Sequence, residues 1–143
     1  MATHLTSPST GSSSTASALR ITQGCDDGKK FAELFYEKLD KGRHTMGQLF
    51  HESANVLWNG NPVTGKANAV TFYESLPTVE TQLFSIDAQP VLEAAAGQQI
   101  CITVVCNGKM KFASNVTRSF TESFLLTAEN NVWKVLTDTY RNY

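Results

Sequence analysis

The C-terminal segment of the chain carries the side chains with the most potential for chemistry. Asp138 and Tyr140 are two residues apart, so in an extended strand both side chains project to the same face. A carboxylate and a phenol that face one pocket can act as a general base and an oxyanion donor. A carboxylate that accepts backbone amides or pairs with a basic side chain explains Asp138 without catalysis. The opposite face of the strand is predicted to carry Trp133, Val135, Thr137, Thr139 and Arg141.

Histidines and cysteines do not form a recognisable metal or redox motif. His44 and His51 lack a carboxylate or cysteine at ligand spacing. The 3 cysteines are an odd number and include no CxxC pair. The sequence also contains no glycine-rich phosphate loop. We therefore expect no metal ion, no cofactor and no disulfide framework.

Length and charge limit the classes of protein to which the chain can belong. Its 143 residues suit one domain. With 12 basic and 13 acidic residues the net charge is −1, which disfavours direct RNA binding and attraction to an anionic membrane. The apolar runs are far shorter than the ~20 residues that span a bilayer. We expect a soluble single-domain protein.

The N-terminal segment has the composition of a disordered tail. Residues 1–18 contain no Lys, Arg, Asp or Glu, and 9 of the 13 residues from Thr6 to Ala18 are Ser or Thr. Such a segment has little apolar surface to offset the entropy of ordering. We predict a tail over residues 1–19 and a folded domain over residues 20–143.

Three helices are predicted in the first half of the domain. Apolar residues recur at helical spacing in Thr22–Asp40, and Gly42 is a suitable stop. A short second helix is expected to carry Met46, Leu49 and Phe50, before Ser53. A third helix is expected over Lys66–Leu76, before Pro77.

The second half is rich in β-branched and aromatic residues and predicts a sheet. Asn59-Gly60 is a strong hairpin signal between two short strands, Asn55–Trp58 and Asn61–Thr64. Helices before strands indicate an α+β domain in which helices cover one face of a curved antiparallel sheet. The other face is predicted to mediate association. Four long strands should form a meander: Gln82–Leu92, Gln98–Phe112, Thr117–Ala128 and Val132–Arg141.

Several ordered segments of the sequence resemble the nuclear transport factor 2-like family, and most of all its small export cofactors. The resemblance covers Gln23 to Arg141. It implies a cone-like fold with three helices on a strongly bent sheet, and one long strand with a bulge at Asn107-Gly108. The segments are Val56–Gly65, Tyr73–Pro77, Asp87–Val91, Gly108–Phe112, Arg118–Ala128 and Val132–Arg141.

The resemblance also implies a non-enzymatic role in nuclear mRNA export. The small cofactors form a heterodimer with the matching domain of the large nuclear RNA export factor, and the heterodimer docks to phenylalanine-glycine (FG) repeat nucleoporins. The implied localisation is the nucleus, the nuclear pore and the cytoplasm. Arg141 is implied to meet a carboxylate of the partner. The implied interface comprises Arg141, Thr139, Thr137, Val135 and Trp133. The last four would equally suit a packed core, because the sequence does not show which face the helices cover.

Two alternatives within the same fold remain open. Trp58 is similar in position to the tryptophan at the cavity mouth of a homodimeric factor that imports Ran-GDP. Cone-fold enzymes such as ketosteroid isomerase and scytalone dehydratase place an acid or base inside the cone, where Trp58, Asp138 and Tyr140 would lie. Ran-GDP binding is disfavoured because the acidic pocket rim of that factor is replaced here by Lys109, Lys111, Ser114, Asn115 and Arg118.

Overall fold

The computed structural model describes the backbone of residues 14–91 and 100–143, with side chains from residue 22 onwards. Residues 1–13 of the predicted tail lie outside the described residues. Residues 14–19 of that segment form the first turns of a helix that begins at Ser14. No helix in the described part of the chain has the length and apolar character needed to cross a membrane.

Helix α1 spans Ser14–Lys41 and packs across the sheet. Phe31, Phe35 and Leu39 are four residues apart and are all buried, as the apolar stripe predicts. The helix ends where the N–H of Gly42 donates to the carbonyl oxygen of Lys38 at 2.8 Å.

Two further helices complete the helical layer, so the predicted set of three is confirmed. One is a 3-10 helix, Arg43–Leu49, and the other is α2, Lys66–Ser75. The Arg43 guanidinium joins the helix ends, because its Nε donates to the Leu39 carbonyl at 3.0 Å and its Nη1 to the Tyr73 carbonyl at 3.2 Å.

The predicted hairpin joins the first two strands. Strand β1 is Phe50–Trp58 and strand β2 is Asn61–Thr64. Asn59 and Gly60 have φ angles of 47° and 85°, the left-handed conformation that a tight two-residue turn requires.

Six strands form one curved sheet with the order β2-β1-β6-β5-β4-β3. Strand β1 runs parallel to β6, and every other neighbouring pair is antiparallel. The predicted α+β architecture, with helices on one face of a curved sheet, is confirmed. We call the face that the helices cover the inner face and the opposite face the outer face. The four long strands are β3 (Val79–Pro90), β4 (Cys101–Phe112), β5 (Thr117–Glu129) and β6 (Val132–Asn142).

The bulge expected at Asn107-Gly108 lies on the neighbouring strand. Strand β4 is long, as expected, and pairs with β5 without interruption. The extra residue is Phe84 of β3, because Leu83 is paired with Gly108 and Ser85 with Asn107. A Cβ atom on Gly108 would lie 2.1 Å from the carbonyl oxygen of Gln82, so this bulge requires glycine opposite it.

A second bulge, in β6, reverses part of the predicted alternation. Leu126 pairs with Val135 and Leu125 with Thr137, which leaves Leu136 as an extra residue. The prediction that Trp133 and Val135 share the face of Arg141 is therefore wrong. Both are buried on the inner face beneath the helices. Their inner-face neighbours beyond the bulge are Asp138 and Tyr140.

Replacement of Gly108 by alanine should destabilise the sheet. We expect Gly108→Ala to lower the free energy of unfolding by about 1–3 kcal/mol, as for other overpacked sites, because the β3 backbone must move away. Urea unfolding followed by circular dichroism measures the loss. Gly47→Ala is the control, since its Cβ would meet its nearest neighbour at an ordinary 3.5 Å. Equal losses in the two variants would contradict the close approach at Gly108.

Candidate functional site

The outer face of β6 presents three of the residues that were predicted to form an interface. Thr137, Thr139 and Arg141 are all exposed and alternate with the buried Asp138 and Tyr140. Helices cover the other face, so these three side chains are available to another protein. Their register partners on β5 are Leu125, Ser123 and Thr121.

Apolar side chains continue this outer face on neighbouring strands. Leu57 of β1 is 40% exposed and is paired with Thr139. Val105 of β4 is half-buried and is paired with Ser123 of β5. Sequence reasoning did not single out Leu57 or Val105, although the alternation of each strand places them on this face. The outer face thus combines hydroxyl-bearing and apolar side chains, a composition suited to protein contact.

The guanidinium of Arg141 lies beside polar groups that already have partners. Thr121 donates from Oγ1 to Asn107 Oδ1 at 2.8 Å, and Asn107 donates from Nδ2 to Ser85 Oγ at 3.2 Å. Among the described residues Arg141 itself forms no hydrogen bond through its side chain and no ion pair. Its donors are therefore free to pair with an external carboxylate.

A pair of carboxyl groups is enclosed on the inner face of the sheet. Asp138 and Glu122 are 1% and 0% exposed. Tyr36 of α1 donates to Glu122 Oε1 at 2.8 Å, and Tyr73 of α2 donates towards Glu122 Oε2 at 3.1 Å. The Tyr73 hydroxyl also contacts Asp138 Oδ2. The cluster therefore ties both α-helices to β5 and β6.

Burial raises the pKa of both carboxyl groups. For Glu122, loss of hydration is the largest cause and the neighbouring Asp138 adds to it. Loss of hydration also raises the pKa of Asp138. Loss of hydration and the repulsion between two enclosed carboxylates both favour the protonated form of the pair. Asp138 Oδ1 has no hydrogen-bond partner in the described residues.

Sequence reasoning found Asp138 but missed the groups around it. Glu122 alternates with Phe120 and Phe124 in β5, so a carboxyl at an inward-facing position was a readable signal. Tyr36 and Tyr73 come from helices, and no local pattern indicates that they meet these strands. Burial is also the largest cause of the raised pKa of each tyrosine, which keeps both hydroxyls protonated as donors.

Asp138 and Tyr140 share the inner face, but their polar atoms contact different partners. The Tyr140 hydroxyl contacts Met110 Sδ at 3.8 Å, and the Asp138 carboxyl contacts Tyr73. The Tyr140 ring stacks on half-buried Trp58, with centroids 3.7 Å apart and planes 4° from parallel. The side chains of Trp58, Asp138 and Tyr140 make packing or hydrogen-bonding contacts within the inner layer.

His51 lies beside an acidic side chain, Glu129. Its Nε2 lies 2.9 Å from Glu129 Oε2, and Lys134 lies 3.6 Å from Glu129 Oε1. Within the described ranges, residues 22–91 and 100–143, no three His, Cys, Asp or Glu side chains are grouped as a metal site would require.

The stability of the fold should depend on pH through Glu122. Because its pKa is raised in the folded state, the contribution of this group is fully present below the unfolded pKa of about 4.3 and is lost as pH rises through the folded pKa. Glu122→Gln removes the ionisation, so its free energy of unfolding should fall less between about pH 5 and 8. Urea titrations at a series of pH values measure both slopes, with exposed Glu33→Gln as the control. Identical slopes for Glu122→Gln and wild type would contradict the buried-proton interpretation.

The hydroxyl groups of Tyr73 and Tyr140 should contribute differently to the stability of the fold. Tyr73→Phe leaves buried Asp138 without a donor and Glu122 with Tyr36 alone, and should lower the free energy of unfolding by about 1–3 kcal/mol. Tyr140→Phe loses only a weak contact with a methionine sulfur and should change it by less than about 0.5 kcal/mol. Thermal or urea unfolding at pH 7 compares them. A larger loss for Tyr140→Phe would overturn the assignment of Tyr73 as the carboxyl partner.

Comparison with known proteins identifies the family. A model of the nuclear transport factor 2 (NTF2) domain matches residues 27–142. NTF2-related export protein 2 of Mus musculus is 38% identical over 125 residues, which cover 85% of this chain and 88% of that protein. An NTF2-related export protein of Caenorhabditis elegans is 31% identical over 120 residues, with coverages of 82% and 86%.

Solved structures show the same fold in proteins with different functions. Nuclear transport factor 2 of Cryptosporidium parvum superposes with a TM-score of 0.71 at 22% identity and covers 81% of this chain and 91% of that one. A putative scytalone dehydratase of Novosphingobium aromaticivorans gives a TM-score of 0.63 at 13% identity, with coverages of 90% and 86%. The fold thus does not distinguish a transport factor from an enzyme. The family match and the identity to the curated relatives place this chain in the nuclear transport factor 2 family.

Proposed function

We propose that this protein is a non-enzymatic cofactor of nuclear mRNA export. Similarity to relatives named as NTF2-related export proteins supports a role in nuclear export. In this proposal the chain forms a heterodimer with the nuclear transport factor 2-like domain of the large nuclear RNA export factor. The heterodimer then docks to FG-repeat nucleoporins and moves between the nucleus, the nuclear pore and the cytoplasm.

The observation that carries the proposed heterodimer is the placement of Arg141. This residue lies exposed on the outer face of the central strand β6, without an ion pair in the described residues, and threonine and apolar side chains lie around it. A planar guanidinium in such a setting is suited to bidentate pairing with a carboxylate. Thr137, Thr139 and Leu57 supply the adjoining contact surface.

Desolvation makes the proposed pair important for partner choice. When an arginine and a carboxylate are buried together in an interface, removal of one leaves the other without a partner and costs ~2–5 kcal/mol of binding free energy. Partner binding to the folded state also stabilises that state in proportion to the logarithm of partner concentration over Kd. The small subunit would thereby support the large subunit's domain without contacting RNA itself.

The inner cluster supports the non-enzymatic interpretation. Asp138 and Glu122 are enclosed and already engaged by tyrosines of two helices, which explains their burial by structural roles. Trp58 is packed against Tyr140 and Phe72, with ring centroids 3.7 Å and 5.3 Å away. An aromatic residue of Ran would have to displace these contacts to insert there.

Charge reversal at Arg141 should abolish capture of the partner. We expect wild type co-expressed with the large subunit's domain to form a one-to-one complex, and Arg141→Glu to lose it, since two carboxylates would then face each other in the interface. Size-exclusion chromatography with light scattering measures the stoichiometry. Arg118→Glu is a matched control, because exposed Arg118 is paired with Met110 on the inner face.

Three outcomes would contradict the proposed function. Equal complex formation by both variants would remove Arg141 from the interface. A homodimer that binds GDP-loaded Ran and ignores the large subunit would favour the import-factor alternative. Turnover of a small hydrophobic substrate that disappears in Asp138→Asn would favour the enzyme alternative.

A further inference from the structure

The outer face of the sheet has an uneven distribution of charge. Lys109 and Lys111 of β4 alternate with buried Met110, so both project to the outer face. Arg141 lies on the same face, because it pairs with Thr121, which in turn pairs with Asn107 of β4. We call Arg141, Lys109 and Lys111 the basic end of the outer face.

The register fixes the spacing of these three cations. Lys109 follows Asn107 by two residues, and β4 is two strands from β6, so the Cα atoms of Arg141 and Lys109 are separated by roughly 12 Å. Lys111 is one outward-facing position further along. By the same geometry the Cα atoms of Arg141 and Lys111 are separated by roughly 17 Å. The Debye length is about 10 Å in ~0.1 M salt, so the fields of neighbouring cations overlap, whereas Arg141 and Lys111 are largely screened from each other.

Few acidic groups lie close enough to neutralise the basic end. Glu80 pairs with Lys111 in the sheet register, but the described residues place neither lysine in an ion pair. Asp87 is also on the outer face. It lies on the edge strand β3, which is three strand spacings from Arg141 on β6. The basic end thus keeps a positive excess in a chain whose net charge is −1.

A cleft of about 280 Å³ opens between the two lysines. Its wall combines ammonium, hydroxyl and amide groups, which are donors to oxygen anions, with the carboxylate of Glu80, which is paired in register with Lys111. Its volume accommodates a carboxylate side chain and its flanking backbone. The lining residues are Glu80, Thr81, Gln82, Lys109, Lys111 and Thr117.

We propose that the basic end is a docking site for an acidic segment of the partner domain, in which carboxylate side chains meet Arg141 and enter the cleft between Lys109 and Lys111. The inference rests on the proposed heterodimer and extends its contact surface along β4. Charge complementarity supports it, because three outward cations, against the single carboxylate of Glu80 in the cleft, occur together on the face proposed for association. The lysines set the association rate and partner choice, whereas the threonines and Leu57 supply the uncharged contact.

The double charge reversal Lys109→Glu/Lys111→Glu tests this site. Binding to the large subunit's domain is measured by surface plasmon resonance at NaCl concentrations from about 50 to 500 mM. We expect the double variant to bind at least about tenfold more weakly at low salt, chiefly through a slower association rate. We also expect wild-type affinity to fall with salt more steeply than that of the variant.

A matched control separates local from global effects of charge. Lys29→Glu/Lys30→Glu makes the same change in net charge at exposed positions of α1, on the helical side of the sheet. Circular dichroism verifies that both variants fold, and Lys109→Gln/Lys111→Gln provides a milder second test that should give an intermediate loss.

The outcomes distinguish this inference from the proposed function. If wild type does not bind the partner domain, the heterodimer itself is wrong. If wild type binds and both double reversals weaken binding equally, the heterodimer stands but the docking site is overturned. The site is equally overturned if Lys109→Glu/Lys111→Glu leaves partner affinity unchanged and abolishes binding of free protein to single-stranded RNA.

Discussion

The bulge at Leu136 is the constraint on which the functional surfaces depend. One extra residue in β6 returns Asp138 and Tyr140 to the inner face that Trp133 and Val135 occupy, and leaves Thr137, Thr139 and Arg141 outside. Without this insertion, strict alternation would bury the guanidinium beneath the helices or expose the tryptophan. A single irregularity in strand pairing therefore separates the core from the surface proposed for association.

The inner face then joins layers of the fold through an unusual polar cluster. Glu122 and Asp138 accept hydrogen bonds from the tyrosine hydroxyls of α1 and α2. The hydrogen bonds of a buried carboxyl pair therefore position both helices on the sheet. Protonation favours this arrangement, because two charged groups at that site would be destabilising.

The outer face is continuous because strand register is carried from β4 through β5 to β6. Phe84 is accommodated by the glycine opposite it, and the uninterrupted pairing of β4 with β5 keeps Lys109 and Lys111 in phase with Asn107. Because β5 in turn pairs with β6, the phase extends to Arg141. Hydroxyl-bearing and apolar side chains thus lie next to the basic end on one surface. The proposed interface would combine close packing with selection of the partner by charge.

The sequence alone determined the element order, the Asn59-Gly60 hairpin and the α+β class, because periodicity and turn chemistry are local properties. Only the tertiary structure decided which residues share a face beyond a bulge, since an extra residue in one strand is defined by its register with another. For the same reason Trp133 was misplaced in β6. The meeting of Tyr36 and Tyr73 at Glu122 joins residues 86 and 49 positions apart, and such contacts are set by the packing of layers rather than by local pattern.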